Sequence, residues 1–239
     1  MGDIRAAETV GAGRDTVRVL KKLLDLLIPG RCAACGARGE PCCARCEGVW
    51  GAAREVVRAP TAGLVRVFAL ARYRGVGRKL LIAYKERGRR DLAPSLGRAL
   101  AAALAELPLG AVAASARAIC LVPAPSRASA ARVRGGPHVE RLAKAAARVL
   151  AARGIEVAVA PALELAGGVR DAVGLSREQR MANLAGRLRF REAGRPPPGT
   201  PIVVLDDVVT TGATAAACTR ALEAAGFTVS AVLTLLAAG

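Results

Sequence analysis

From residue 64 onward, short runs rich in β-branched residues alternate with alanine-rich stretches whose apolar positions recur at helical spacing. Arg117-Ala-Ile-Cys-Leu-Val-Pro123, Ile155-Glu-Val-Ala-Val159, Pro201-Ile-Val-Val-Leu205 and Thr228-Val-Ser-Ala-Val-Leu-Thr234 read as strands. Helices are predicted near 91–105, 137–152, 176–185 and 213–225. Strands interleaved with helices give an α/β fold with a mostly parallel sheet covered on both faces. The stretch Arg195-Pro-Pro-Pro-Gly-Thr-Pro201 is a loop ahead of the last central strand. Upstream, Val17-Arg-Val-Leu-Lys-Lys-Leu-Leu-Asp-Leu-Leu-Ile28 has the spacing of an amphipathic helix that stops at Pro29-Gly30. Three parts are expected: a tail and helix over 1–29, a cysteine unit over 30–50, and the main domain over 60–239.

The 239 residues suffice for one full α/β domain with a small appendage. A formal charge of +17 is the most unusual bulk property. A nucleic-acid partner would account for it, yet 31 of the 36 basic residues are arginine and alanine occurs 53 times. That composition also fits the codon bias of a GC-rich genome, which spreads arginine without any ligand. Lys85-Glu-Arg-Gly-Arg-Arg90 is the densest basic run, readable as a solvated charged loop or as a phosphate or nucleic-acid contact. No stretch is apolar for the roughly 20 residues a membrane span needs, and no signal peptide is recognisable, so a cytoplasmic protein is expected.

Five of the seven cysteines fall between Cys32 and Cys46, as Cys-Ala-Ala-Cys-Gly and Cys-Cys-Ala-Arg-Cys. Two CxxC pairs so close together form two knuckles around one tetrahedral ion. Cys32, Cys35, Cys43 and Cys46 are the expected ligands of a structural zinc, because four thiolates leave no open position for catalysis. Cys42 is then spare, and the distant Cys120 and Cys218 are expected to be inert core residues.

The segment richest in chemistry is Ile202-Val-Val-Leu-Asp206-Asp207-Val-Val-Thr210-Thr211-Gly212-Ala213-Thr214. An apolar strand runs into two carboxylates, then into a hydroxyl- and glycine-rich turn that opens a helix. The unpaired N–H groups at that helix start favour a phosphate. Paired carboxylates would repel it if they faced it, but one step away they can accept hydrogen bonds from ribose hydroxyls. A ribose 5′-phosphate with magnesium nearby is the inferred ligand. His138, the single histidine, follows Gly-Gly-Pro137 at a predicted helix start, where a structural role or a ligand contact is open.

Leu205-Asp-Asp-Val-Val-Thr-Thr-Gly-Ala-Thr214 resembles the phosphoribosyl pyrophosphate (PRPP) motif of type I phosphoribosyltransferases. The flanking segments resemble the ComF/GntX (competence protein F-like) branch of that superfamily. They are the cysteine knuckles after a helix ending Leu-Leu-Ile-Pro, Tyr84-Lys-Glu-Arg-Gly-Arg-Arg-Asp-Leu-Ala-Pro94, Val122-Pro-Ala-Pro-Ser126 and Gly174-Leu-Ser-Arg-Glu-Gln-Arg-Met-Ala-Asn183. The resemblance implies the type I phosphoribosyltransferase fold with an N-terminal four-cysteine zinc knuckle or ribbon.

It further implies that Asp206 and Asp207 hold the ribose hydroxyls and that Thr210, Thr211, Gly212, Ala213 and Thr214 hold the 5′-phosphate. Pro125, Ser126 and Arg127 would meet pyrophosphate, and Arg177, Arg180 and Asn183 would lie on a loop that closes over PRPP. Two departures stand out. Asp171 is followed by Ala172 where the family often carries Asp-Gln, and a common Arg-Gly-Phe-Asn-Gln stretch reads Arg134-Gly-Gly-Pro-His-Val-Glu140. The implied activity is magnesium-dependent phosphoribosyl transfer with release of pyrophosphate. The alternative is a non-catalytic module of the same fold that supports DNA uptake through single-stranded DNA or a helicase partner.

Overall fold

A computed structural model describes residues 30–109, 118–126, 136–166 and 187–239. The predicted helices at Val17–Ile28 and 176–185 lie outside these residues. Along the chain the elements are β1 (Gly30–Arg31), β2 (Arg38–Gly39), α1 (Ala44–Glu47), β3 (Arg54–Glu55), β4 (Val67–Arg72), α2 (Gly75–Glu86) and α3 (Ala93–Glu106). There follow β5 (Ala118–Pro123), α4 (His138–Ala151), β6 (Glu156–Val159), β7 (Leu163–Leu165), β8 (Leu188–Phe190), β9 (Ile202–Val209), α5 (Ala213–Ala224) and β10 (Val229–Ala237).

The central sheet has six strands in the order β3-β4-β10-β9-β5-β6. Five of them run parallel, and only the two-residue edge strand β3 is antiparallel to its neighbour. The fold is therefore α/β with a mostly parallel sheet. On β9, Val203 and Leu205 enter one core cluster, while Ile202 and Val204 enter the other. Covering both faces in this way is what makes the strand an unbroken apolar run. The first cluster takes Leu80 and Leu81 of α2, Leu96 and Leu100 of α3, and Leu142 and Leu150 of α4. The second takes Cys218 and Leu222 of α5.

The alanine-rich composition has a packing consequence in the first layer. A Cβ placed on Gly97 of α3 would sit 2.5 Å from the Cβ of Ala145 on α4. The two helices thus approach to a distance that only glycine against alanine allows.

Several elements depart from the sequence expectation. β4 and α2 have no counterpart among the predicted elements; α2 opens on Gly75-Val-Gly77, a poor helix start by propensity. The strand expected to stop at Leu205 continues through Asp206 and Asp207 to Val209. Its neighbour β10 keeps pairing with it, matching Thr234 to Asp206 and Ala237 to Val209. On the other side β5 ends opposite Leu205, at Pro123. The acid pair is thus ladder-bonded on one flank and open on the other.

Candidate functional site at the carboxyl edge

From β5 the chain continues to β6 on one side, whereas β9 lies on the other. The strand order reverses between β5 and β9, and such a reversal opens a crevice at the carboxyl ends of the strands. The last bond across it runs from the Ala124 N–H to the Leu205 carbonyl at 2.8 Å. Beyond that bond, half-buried Pro125 and Ser126 follow β5, and Asp206 and Asp207 continue β9. Two of the segments singled out in the sequence are brought together here. Arg127, Arg177, Arg180 and Asn183 lie outside the described residues.

Adjacent strand residues point to opposite faces, and the two acids meet different surroundings. Asp207 is only 4% exposed. Its Oδ2 lies 2.7 Å from His138 Nε2 and 2.6 Å from Lys85 Nζ. A carboxylate only accepts, so Nε2 is the donor, which fixes the protonated nitrogen of the ring. His138 opens α4 and Lys85 closes α2, so three elements converge on one oxygen. Tyr84 donates its hydroxyl to the His138 carbonyl at 2.7 Å, holding the start of α4 to α2. The Lys85–Arg90 run is therefore not uniformly a solvated loop. Its first residue is ion-paired inside the molecule, and Arg89 donates to the Arg31 carbonyl at 3.0 Å and to Asp91.

Asp206 is half-buried and accepts the Asp207 N–H on Oδ1 at 2.8 Å. Burial and the neighbouring Asp207 carboxylate raise its pKa to about 7. Burial acts in the same sense on Asp207, but the His138 hydrogen bond and the Lys85 charge overrule it and hold that carboxyl at about 2. Two neighbouring carboxylates with pKa values pushed so far apart mark a site where protonation state is set by the fold. Asp206 is the more exposed of the two.

The turn after β9 is fixed from below by a residue without any sequence signal. Arg58 donates from Nε to the Thr210 carbonyl at 2.6 Å and from Nη2 to the Ala238 carbonyl at 2.7 Å. Gly212 caps α5 with φ +84°, and a Cβ there would lie 2.8 Å from Arg58 Cβ. Glycine is required twice over, by the left-handed backbone and by the contact. Thr210 is exposed, whereas Thr211, Ala213 and Thr214 are at least partly exposed around the first N–H groups of α5. Those groups and hydroxyls form a donor-rich mouth suited to an anion.

The cysteine unit sits apart from this crevice. The sulfurs of Cys32, Cys35, Cys43 and Cys46 all lie within 4.8 Å of one another, with Cys35 and Cys43 3.6 Å apart. Zn–S bonds of about 2.3 Å in a tetrahedron require sulfur separations of about 3.8 Å, so this donor set fits a metal ion. None of the four is in a disulfide. Burial works against the Cys32 thiolate, yet backbone hydrogen bonds from Cys43, Cys35 and Ala34 outweigh it and bring the thiol down to about 6. Cys42 lies outside the four, and burial raises it to about 11. Cys120 and Cys218 are fully buried and burial raises both thiols, as expected of inert core residues.

Three residues of the site had weak or no sequence signals. Lys85 is hidden in a basic run, His138 follows a Gly-Gly-Pro turn, and Arg58 belongs to no motif. Among the described residues no helix is long and apolar enough to cross a membrane. No protein-family model matches this chain, and a search of curated proteins finds no match either.

Proposed function

We propose that this protein binds PRPP in the crevice between β5 and β9 and transfers its phosphoribosyl group, as a member of the ComF branch of type I phosphoribosyltransferases. One observation carries the reading. Half-buried Asp206 lies on β9 just beyond the point where β5 stops pairing, at the strand-order reversal and a few residues before the Thr210–Thr214 mouth of α5. A ribose 5-phosphate spans such a pair of sites, with its phosphate on N–H and hydroxyl donors and its ring hydroxyls on a carboxylate.

In this reading Ser126 hydrogen-bonds the pyrophosphate and the N–H groups at the start of α5 hold the 5′-phosphate. Magnesium bound with PRPP would neutralise the pyrophosphate as it leaves, and Asp206 could offer it an oxygen ligand. A nucleophile attacks ribose C1 as the C1–O bond to pyrophosphate breaks, and the bonding pair departs with pyrophosphate. Positioning and charge stabilisation supply the rate, since no residue here forms a covalent intermediate. The four clustered cysteines hold a structural zinc that ties the N-terminal unit to the main core, where Cys32, Cys42 and Cys46 pack beside Leu92 and Leu96.

Calorimetry with PRPP and magnesium tests the reading. Wild type binds and Asp206→Asn loses at least tenfold in affinity. No detectable binding by the wild type would overturn it. Asp206→Asn is preferred to alanine at Asp207, whose removal strips Lys85 and His138 of their shared acceptor.

A further inference from the structure

We propose a second anion site, adjoining the crevice through Arg58 but lined by other residues: the groove between β3, β4 and the end of β10, fitted to a phosphate-bearing ligand of mononucleotide size. The groove is open to solvent and offers about 640 Å³, within the range of sites that hold a whole small ligand and far beyond what inorganic phosphate fills. Its floor is made by small side chains, Ala69 and Ala71 of β4 with Val56 beside them, and these leave the space open. Four guanidinium groups line it, from Arg54, Arg58, Arg72 and Arg74.

None of these four is paired with an acidic side chain among the described residues. The one acidic side chain on the lining, Glu55, is taken by Arg66 at 2.7 Å. Among the described residues no carboxylate comes within salt-bridge reach of Arg54, Arg58, Arg72 or Arg74. Arg58 is spent on the carbonyls of Val57, Thr210 and Ala238. Carbonyl contacts fix its position and leave its full charge in place. Arg54, Arg72 and Arg74 are exposed, so their forks are available to phosphate oxygens. Guanidinium planes also stack on bases, which makes up for the absence of aromatic residues on the lining. An apolar floor beneath several phosphate-seeking groups describes a nucleotide better than a bare anion.

The test uses the full-length protein and adenosine monophosphate, followed by calorimetry. Wild type binds it, the double variant Arg72→Ala/Arg74→Ala loses at least tenfold in affinity, and Asp206→Asn binds as wild type does. Circular dichroism of the double variant stays unchanged, because both side chains are exposed. Absence of binding, or binding untouched by the double variant, overturns the site. Loss on Asp206→Asn would place the nucleotide in the crevice and overturn it as well. Inorganic phosphate binding as tightly as the nucleotide would refute the role of the floor. A single-stranded 12-mer binding at least tenfold more tightly than the nucleotide would show a track for a polymer backbone instead. None of these outcomes depends on PRPP, so failure of the crevice reading leaves this site standing.

Discussion

His138 Nε2 lies 2.7 Å from Asp207 Oδ2, and that same oxygen takes the Lys85 ammonium at 2.6 Å. One buried carboxylate thus anchors the start of α4 and the end of α2 to the middle strand of the sheet. A buried charge held by two donors is stable only while all three are present, because desolvation is offset by the pairing alone. The carboxyl edge, with whatever it binds, is shaped by this internal triad.

Removal of the shared acceptor is therefore expected to be severe. Asp207→Ala should lower stability by about 3 kcal/mol, read as a fall in Tm. Lys85→Met should cost less, because the lysine is partly exposed and water takes over part of its solvation. His138→Gln, which keeps a donor, should retain more stability than His138→Ala. Equal losses for glutamine and alanine would show that packing matters and the hydrogen bond does not.

The acid pair also predicts a pH dependence with two signs. Asp206, raised to about 7, binds its proton more tightly folded than unfolded. Stability from this group is greatest below the ordinary carboxylate range and is lost as pH rises towards 7. Asp207, lowered to about 2, works oppositely, contributing fully above the ordinary range and losing its contribution as pH falls towards 2. Urea unfolding between pH 4 and 8 should show declining stability in the wild type and a flatter profile for Asp206→Asn. An identical slope in both proteins would refute the assignment to Asp206.

Metal content separates the four ligands from their neighbour. Cys32→Ser and Cys43→Ser should each abolish stoichiometric zinc, while Cys42→Ser should keep it. Because Cys32 and Cys46 are part of the main core cluster, loss of the metal should also lower Tm. Elemental analysis of the purified variants decides, and zinc retained by Cys43→Ser would exclude the proposed ligand set.

At the turn, Gly212→Ala places a methyl 2.8 Å from Arg58 Cβ on a backbone with φ +84°. A cost of about 1–3 kcal/mol is expected from the conformation, and the displaced mouth of α5 should weaken PRPP binding at least tenfold. Gly97→Ala, in the seam between α3 and α4, should destabilise comparably with PRPP affinity preserved. Equal effects of both variants on affinity would mean that global stability, rather than turn geometry, governs binding.

Part of the local order of the chain was legible from spacing. Alternating β-branched and alanine-rich segments predicted the parallel sheet, the CxxC pairs predicted the four-sulfur cluster, and Asp206–Thr214 marked the strand, turn and helix start. All of these rest on residues close in sequence, where periodicity and turn chemistry act. The length of β9 was not legible, because it depends on β10 pairing past the point where β5 stops. Nor were the partners of Asp207 and of Thr210. His138 lies 69 residues from Asp207, and Arg58 lies 152 residues from Thr210. Strand order alone brings these groups to one edge, where burial and pairing push two adjacent and chemically identical carboxyls in opposite directions. Local sequence sets two acids beside a threonine- and glycine-rich turn; only the packed sheet selects which one is buried against Lys85 and His138 and which one stays more exposed.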